Sequence, residues 1–263
     1  MIPLRDLNPS RRRPFVTVAL IAVNLVAFLY ELALGPELQG FLQEAAFVPA
    51  RLFEESLPAG AVAPEGLSVL VSMFLHGGWM HFLGNMLFLW VFGDNVEDRL
   101  GHLRYVVFYL ACGYAAALAH AAANPASGLP AIGASGAIAG VLGAYLLLHP
   151  RAPIVTLIFL GFFITTTRVP AIVYLPLWFG IQFVSGLASL GAQTGTSGTG
   201  GVAWFAHIGG FVAGFVFLAL LGGLRRPRRR PAPAGAPPPG VAPIERYRTG
   251  ERGRTDERYR RRR

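Results

Sequence analysis

Three short stretches of this chain carry groups able to do chemistry. The first is His76-Gly-Gly-Trp-Met-His81-Phe-Leu-Gly-Asn85. His81 and Asn85 are four apart, so a helix places them on one face with Asn85 about one turn further in. That pair suits a helix–helix hydrogen bond, or a site. The second is Gly133-Ala134-Ser135-Gly136. Gly-x-Ser-Gly carries little information in a chain with 32 glycines. It is also not the elbow of soluble hydrolases, which needs glycine two places after the serine, where this chain has Ala137. Ser135 follows a turn ending at Pro130 and falls in the first turn of a helix. It is either a helix cap or a nucleophile whose oxyanion would meet the unpaired N–H groups and positive dipole end of that helix.

The third stretch is Ala206-His207-Ile208-Gly209-Gly210-Phe-Val-Ala-Gly214. His207 sits about one turn into its helix, in line with Gly210 and Gly214. Gly136, Gly140 and Gly143 form a matching stripe below Ser135. Small residues at such spacing let two helices approach closely. Packed through these stripes, the two helices bring His207 within reach of Ser135, and a His beside a Ser can take its proton as general base. We find no Asp or Glu at this depth, so the expected unit is a Ser–His dyad and not a triad. The remaining histidines, His102, His120 and His149, fall at helix ends and read as structural or interfacial.

Long apolar segments must position these groups. The chain has 263 residues, 53% hydrophobic and only 14% charged, against about 25% charged in an ordinary soluble domain. That composition excludes a typical soluble enzyme, a disordered chain and a disulfide-stapled module. The single cysteine, Cys112, has no intramolecular partner. Stretches free of Asp, Glu and Arg run over 14–30, 66–93, 105–150 and 169–224. The last two are each long enough for two membrane spans of about 20 residues, split by turns at 124–128 and 191–201. Six spans are expected, near 15–34, 79–96, 104–123, 134–149, 170–190 and 202–223. The stretch 152–167, fenced by Arg151, Arg168 and Pro170, reads as interfacial, with a seventh span as the alternative.

All 23 basic residues are Arg, and 14 of them lie in residues 225–263, so the net charge of +9 belongs to a tail on a near-neutral body. For that reason a high isoelectric point does not here indicate a nucleic-acid partner. The nine other Arg fall on one side of a six-span topology except for Arg51, which places both termini in the cytoplasm. Arg11–Arg13 before an apolar run resembles a signal peptide, but that run is long and lacks a clear cleavage motif, so an uncleaved first span is expected. The organisation is then a cytoplasmic segment 1–13, a membrane domain 14–224 and a disordered Pro/Arg-rich tail 225–263. Such a tail enforces topology or meets anionic lipid headgroups. No cofactor motif is found.

Taken together and in this order, His76-x4-His81-x3-Asn85, Gly133-x-Ser135-Gly136 and Ala206-His207-x2-Gly210-x3-Gly214 resemble the rhomboid family of intramembrane serine proteases, over about residues 15–223. Glu97-x3-Gly101 also resembles the family. The resemblance implies an all-α, six-helix membrane bundle in a bacterial cytoplasmic membrane. Its implied activity is cleavage of a peptide bond in or beside the transmembrane helix of a membrane-protein substrate. It further implies Ser135 as nucleophile, His207 as general base, and an oxyanion hole from Asn85, His81 and the Ser135 N–H. His76 would be structural, at the base of the first outward loop, and Gly133 would position the backbone near the oxyanion. Two departures are visible. Leu67-Ser68 stand where many members carry Trp-Arg. Ala139 stands where some stack an aromatic on the histidine, so other packing must orient His207. The alternatives are a catalytically silent relative that binds membrane helices, against which retention of both Ser135 and His207 argues, and a metal or ion transporter using His76, His81 and His207.

Overall fold

The computed structural model describes residues 1–53, 65–160, 163–192 and 203–224. The Arg-rich tail and most of the 191–201 turn lie outside the described residues. In chain order the elements are β1 (Ile2–Asp6), α1 (Phe15–Leu34), α2 (Leu38–Ala45), α3 (Glu65–Ser72), α4 (Trp79–Leu100) and α5 (His102–Ala123). They continue with α6 (Ser135–Leu148), β2 (Pro153–Leu160), β3 (Phe163–Pro170), α7 (Ala171–Ala192) and α8 (Trp204–Leu220). Helices thus occupy all six stretches expected to be helical. The segment 35–78 adds α2 and α3, separated by a 3-10 turn at Pro49–Phe53.

The fold is mostly helical and not all-helical, which corrects the sequence expectation. β2 and β3 pair antiparallel from Pro153↔Pro170 to Leu160↔Phe163. The segment 1–13 joins them through β1, with Ile2 opposite Leu157 and Asp6 opposite Ile154. The stretch 152–167 is therefore most of a hairpin and not a seventh helix. The cause is composition: Ile154-Val155-Thr156 and Thr165-Thr166-Thr167 are β-branched runs whose χ1 restriction favours a pleated strand.

Among these helices, α1 and α5 are long and apolar enough to cross a membrane by length and composition; α6, the first part of α7 and α8 are apolar but shorter. α1 buries its polar residues Thr17, Asn24 and Glu31 on one face and is apolar elsewhere. It leaves Val18, Val23, Val26 and Leu29 about half or more exposed, a surface that suits lipid and not water. α6 is the opposite case. Every residue from Gly136 to Tyr145 is buried, packed among Phe82, Phe92, Phe108, Tyr109 and Phe211 in the main core. A helix buried over most of its length can be short, and at 14 residues α6 is about 21 Å long.

α1 starts after Pro14, which supplies no side-chain cap, so its first N–H groups need partners from elsewhere. Glu97 on α4 provides them. Its carboxylate accepts from the N–H groups of Val16 and Thr17 at 2.9 and 2.8 Å and from the Thr17 hydroxyl at 2.7 Å. The same carboxylate meets His102 Nδ1 at 2.6 Å. Gly101, four residues later, ends α4 with a φ of +78°, and its N–H bonds the Glu97 carbonyl at 2.7 Å. The Glu97/Gly101 spacing is thus a joint between α1, α4 and α5. Next to it, Asp6 of β1 accepts from Tyr145 at 2.7 Å and Asn95 at 2.9 Å, which ties the sheet to α4 and α6. Burial raises the Asp6 carboxyl above the usual carboxylate range.

Candidate active site

α6 and α8 touch backbone to backbone. A methyl group on Gly210 would lie 2.0 Å from the Gly136 carbonyl oxygen, and one on Gly214 would lie 2.1 Å from that of Gly140. On α6, a methyl on Gly143 would lie 2.2 Å from the Phe211 carbonyl oxygen. Only glycine permits this approach, and it places the first turn of α6 beside the first turn of α8. Ser135 Oγ and His207 Nε2 stand 2.8 Å apart. Ser135 does not cap α6: Ala134 holds the cap position, and no side chain bonds the free N–H groups there. The serine is the first residue of the helix, so its own N–H has no partner within the helix.

Two aromatic rings and one amide hold His207. Trp178 lies across it with ring centres 5.9 Å apart and Trp204 meets it edge-on at 6.2 Å. These rings occupy the orienting role left open by Ala139. Gln182 Oε1 on α7 sits 2.8 Å from His207 Nδ1. Neither Gln182 nor the tryptophans emerge from motif spacing; a lone polar residue inside an apolar span was the one available signal for Gln182.

The loop before Ser135 is pinned to the segment 35–78. Phe47 N–H donates to Ser72 Oγ at 2.6 Å. Gly133 N–H donates to the Ser72 carbonyl at 2.8 Å, and Ala131 N–H to that of Phe47 at 2.8 Å. Gly133 takes a φ of +125°, open to glycine at little cost. A methyl there would fall 2.7 Å from His81 Cε1 and Nε2 and 3.5 Å from Ser135 Oγ. His81 therefore lies against the Gly133 backbone, beside the serine. Gly77 N–H reaches His81 Nδ1 at 3.4 Å, which leaves Nε2 as the ring's donor toward Gly133.

Asn85 is buried one turn further along α4, and its Nδ2 makes no hydrogen bond. His76 is buried beneath these groups, packed edge-on against His81 at 5.3 Å and Phe82 at 5.4 Å. Burial, with His81 nearby, pushes the His76 imidazole down to about 4. The backbone N–H of His76 donates to Glu31, whose two carboxylate oxygens each lie 3.0 Å away. Glu31 is the carboxylate that sequence reasoning overlooked at this end of the bundle. It braces His76 and the loop, while His207 is served by Gln182.

A cavity of ≈ 40 Å³ opens beside the serine, lined by Ser72, His120, Gly133, Ser135, Gly136 and Ala206 among others. Its volume is enough for a water, and Ser72, His120 and Ser135 are the polar side chains in a mostly apolar lining. His120, at the end of α5, lines it. Among the described residues, no three His, Cys, Asp or Glu side chains gather as a metal-ligand set.

A family model described as the rhomboid domain matches residues 64–224. RHOMBOID-like protein 4 of Arabidopsis thaliana is 33% identical over 152 residues, covering 58% of this chain and 33% of that protein. Rhomboid protease GluP of Bacillus subtilis is 34% identical over 160 residues, covering 60% of this chain and 26% of that protein. RHOMBOID-like protein 1 of Arabidopsis thaliana is 26% identical over 224 residues, covering 77% of this chain and 52% of its own length. The chain spans about a third or less of the length of the first two relatives.

Proposed function

The chain belongs to the rhomboid family of integral membrane proteins, and from that premise we propose that it is an intramembrane serine endopeptidase working through a Ser135–His207 dyad. The observation that carries this reading is the 2.8 Å contact between Ser135 Oγ and His207 Nε2 at the mouth of two glycine-packed helices. His207 takes the hydroxyl proton as Ser135 attacks the scissile carbonyl of a membrane-protein segment. The resulting acyl-enzyme is hydrolysed by water, for which the cavity beside the serine is a source. The oxyanion is received by the Ser135 N–H, His81 Nε2 and Asn85 Nδ2. The unpartnered Asn85 Nδ2 supports its place in this set, because buried donors in folded proteins are rarely left unpaired.

In this reading α1 and α4 to α8 are six spans with both termini in the cytoplasm, and the Arg-rich tail lies there against anionic headgroups. The short α6 fits: at about 21 Å against about 30 Å of hydrocarbon, it leaves Ser135 below the outer surface and open to water from the loops. Substrates need helix-weakening residues near the cleavage site, because a helical peptide hides its carbonyls behind backbone hydrogen bonds. A catalytically silent helix-binding role would leave the Ser135–His207 contact without a purpose.

The test is labelling of detergent-solubilised protein with a serine-directed fluorophosphonate, alongside cleavage of a panel of transmembrane peptides read by product mass. Wild type should label and cut. Ser135→Ala and His207→Ala should each abolish cleavage, and the double variant should be no worse, because the pair acts as a unit. Proteolysis by folded Ser135→Ala protein would overturn the assignment.

A further inference from the structure

His207 can accept the Ser135 proton only if Nε2 carries a lone pair. The imidazole then carries its hydrogen on Nδ1, and that hydrogen needs an acceptor in a buried, apolar setting. We infer that Gln182 is a positioning residue whose side-chain carbonyl holds the Nδ1–H tautomer of His207 and so keeps Nε2 turned to Ser135 as a base. This inference rests on the dyad reading above.

The geometry supports it from both ends of the ring. Gln182 Oε1 lies 2.8 Å from Nδ1 while Ser135 Oγ lies 2.8 Å from Nε2, so the imidazole bridges α7 and α6 in a straight relay. The opposite amide orientation would aim an N–H at Nδ1. That forces the hydrogen onto Nε2, where it faces the serine and removes the base. Chemistry and amide orientation therefore select each other. Trp178 sits four residues before Gln182 on α7, on the same helix face. One face of α7 thus meets the ring with Trp178, tilted by 39°, and with Gln182 at Nδ1. The relay also explains the absence of a third, ionised member. An ionised Asp or Glu at this depth is expensive to place in a membrane. An amide supplies the same acceptor without charge, and as imidazolium forms the ring keeps its Nδ1–H bond to it.

The test uses the full chain in detergent, with fluorophosphonate labelling rate, kcat and KM on a transmembrane peptide, and melting temperature measured for wild type, Gln182→Leu and Gln182→Glu. Gln182→Leu keeps the volume and removes the acceptor. Its labelling rate and kcat should fall by roughly tenfold or more, with the 10²–10⁴ that a positioned acid–base group contributes as the upper bound, and with KM unchanged. Gln182→Glu should recover activity, and its acidic limb of kcat/KM should move to higher pH, because a carboxylate beside Nδ1 favours imidazolium. A packing role alone would lower the melting temperature and leave the limb in place. Should Gln182→Leu fail to fold, nitrogen NMR of wild-type protein labelled in histidine decides: a hydrogen on Nδ1 of His207 is expected, and one on Nε2 overturns the inference. Folded Gln182→Leu that labels within twofold of wild type also overturns it, while the dyad reading survives. Wild-type protein that does not label at Ser135 overturns the dyad reading itself.

Discussion

Asn85→Ala separates catalysis from packing, because the two readings of this residue move stability in opposite directions. A helix–helix hydrogen bond in a membrane is worth about 0.6 kcal/mol on average, and its loss would lower stability by that much. Asn85 Nδ2 makes no such bond. A buried donor without a partner carries a desolvation cost of about 1–3 kcal/mol, which the substitution removes. Some packing is lost with the side chain, so melting temperature in detergent should stay level or rise. Turnover should do the reverse. Removing one oxyanion donor costs about 2.7–4 kcal/mol of transition-state stabilisation, or 10²–10³ in kcat. The Ser135 N–H and His81 remain as donors, so the lower end is expected. The assay is kcat and KM on one transmembrane peptide, normalised to fluorophosphonate-reactive protein, beside thermal unfolding of the same samples. Wild-type turnover per folded molecule would refute the oxyanion role. A fall in melting temperature with intact turnover would establish Asn85 as a structural contact.

Gly210→Ala should lower stability by about 1–3 kcal/mol, as overpacking does, and slow Ser135 labelling because α6 and α8 are pushed apart. Gly84→Ala, whose methyl would meet nothing within 4 Å, is the near-neutral control, and equal melting temperatures would contradict the close packing. His76 should make the protein acid-labile. Its imidazole is held down to about 4 in the fold, so the unfolded chain binds the proton first and stability falls as pH drops from about 6.5 toward 4. The loss reaches about 3 kcal/mol, read as melting temperature against pH, and His76→Phe should flatten that slope. Reporter fusions at residues 1 and 224 should place both ends in the cytoplasm, and opposite sides would contradict six spans.

The helices were legible because each is an apolar stretch bounded by Arg, Pro or Gly. Ser135 and His207 were legible because glycine stripes at matching spacing predict which faces meet. The sheet was not. Pro153–Leu160 is a continuous apolar run in which period alone does not separate strand from helix. Its partner β1 lies about 150 residues away in a segment with too few residues to show a pattern. Gln182 and Glu31 were missed for a related reason. Each is a polar residue in a mostly apolar helix, and which neighbour it faces depends on the rotation of that helix in the bundle.

That rotation explains how the two groups divide the work. Glu31, in the last turn of α1, is the buried carboxylate at this end, and its two oxygens are held by the backbone N–H of His76. It can stay there because the loop supplies a donor and because the end of a span lies close to water. Gln182 lies at the middle of α7, where ionisation is more expensive, and there the residue is an amide. Charge is thus confined to the end of a span and neutral acceptors to its interior. On this account a carboxylate at position 182 is tolerated only while His207 can carry the compensating positive charge. Gln182→Glu combined with His207→Ala should therefore be markedly less stable than either single variant. Additive losses in melting temperature would show that the two side chains do not share a buried charge.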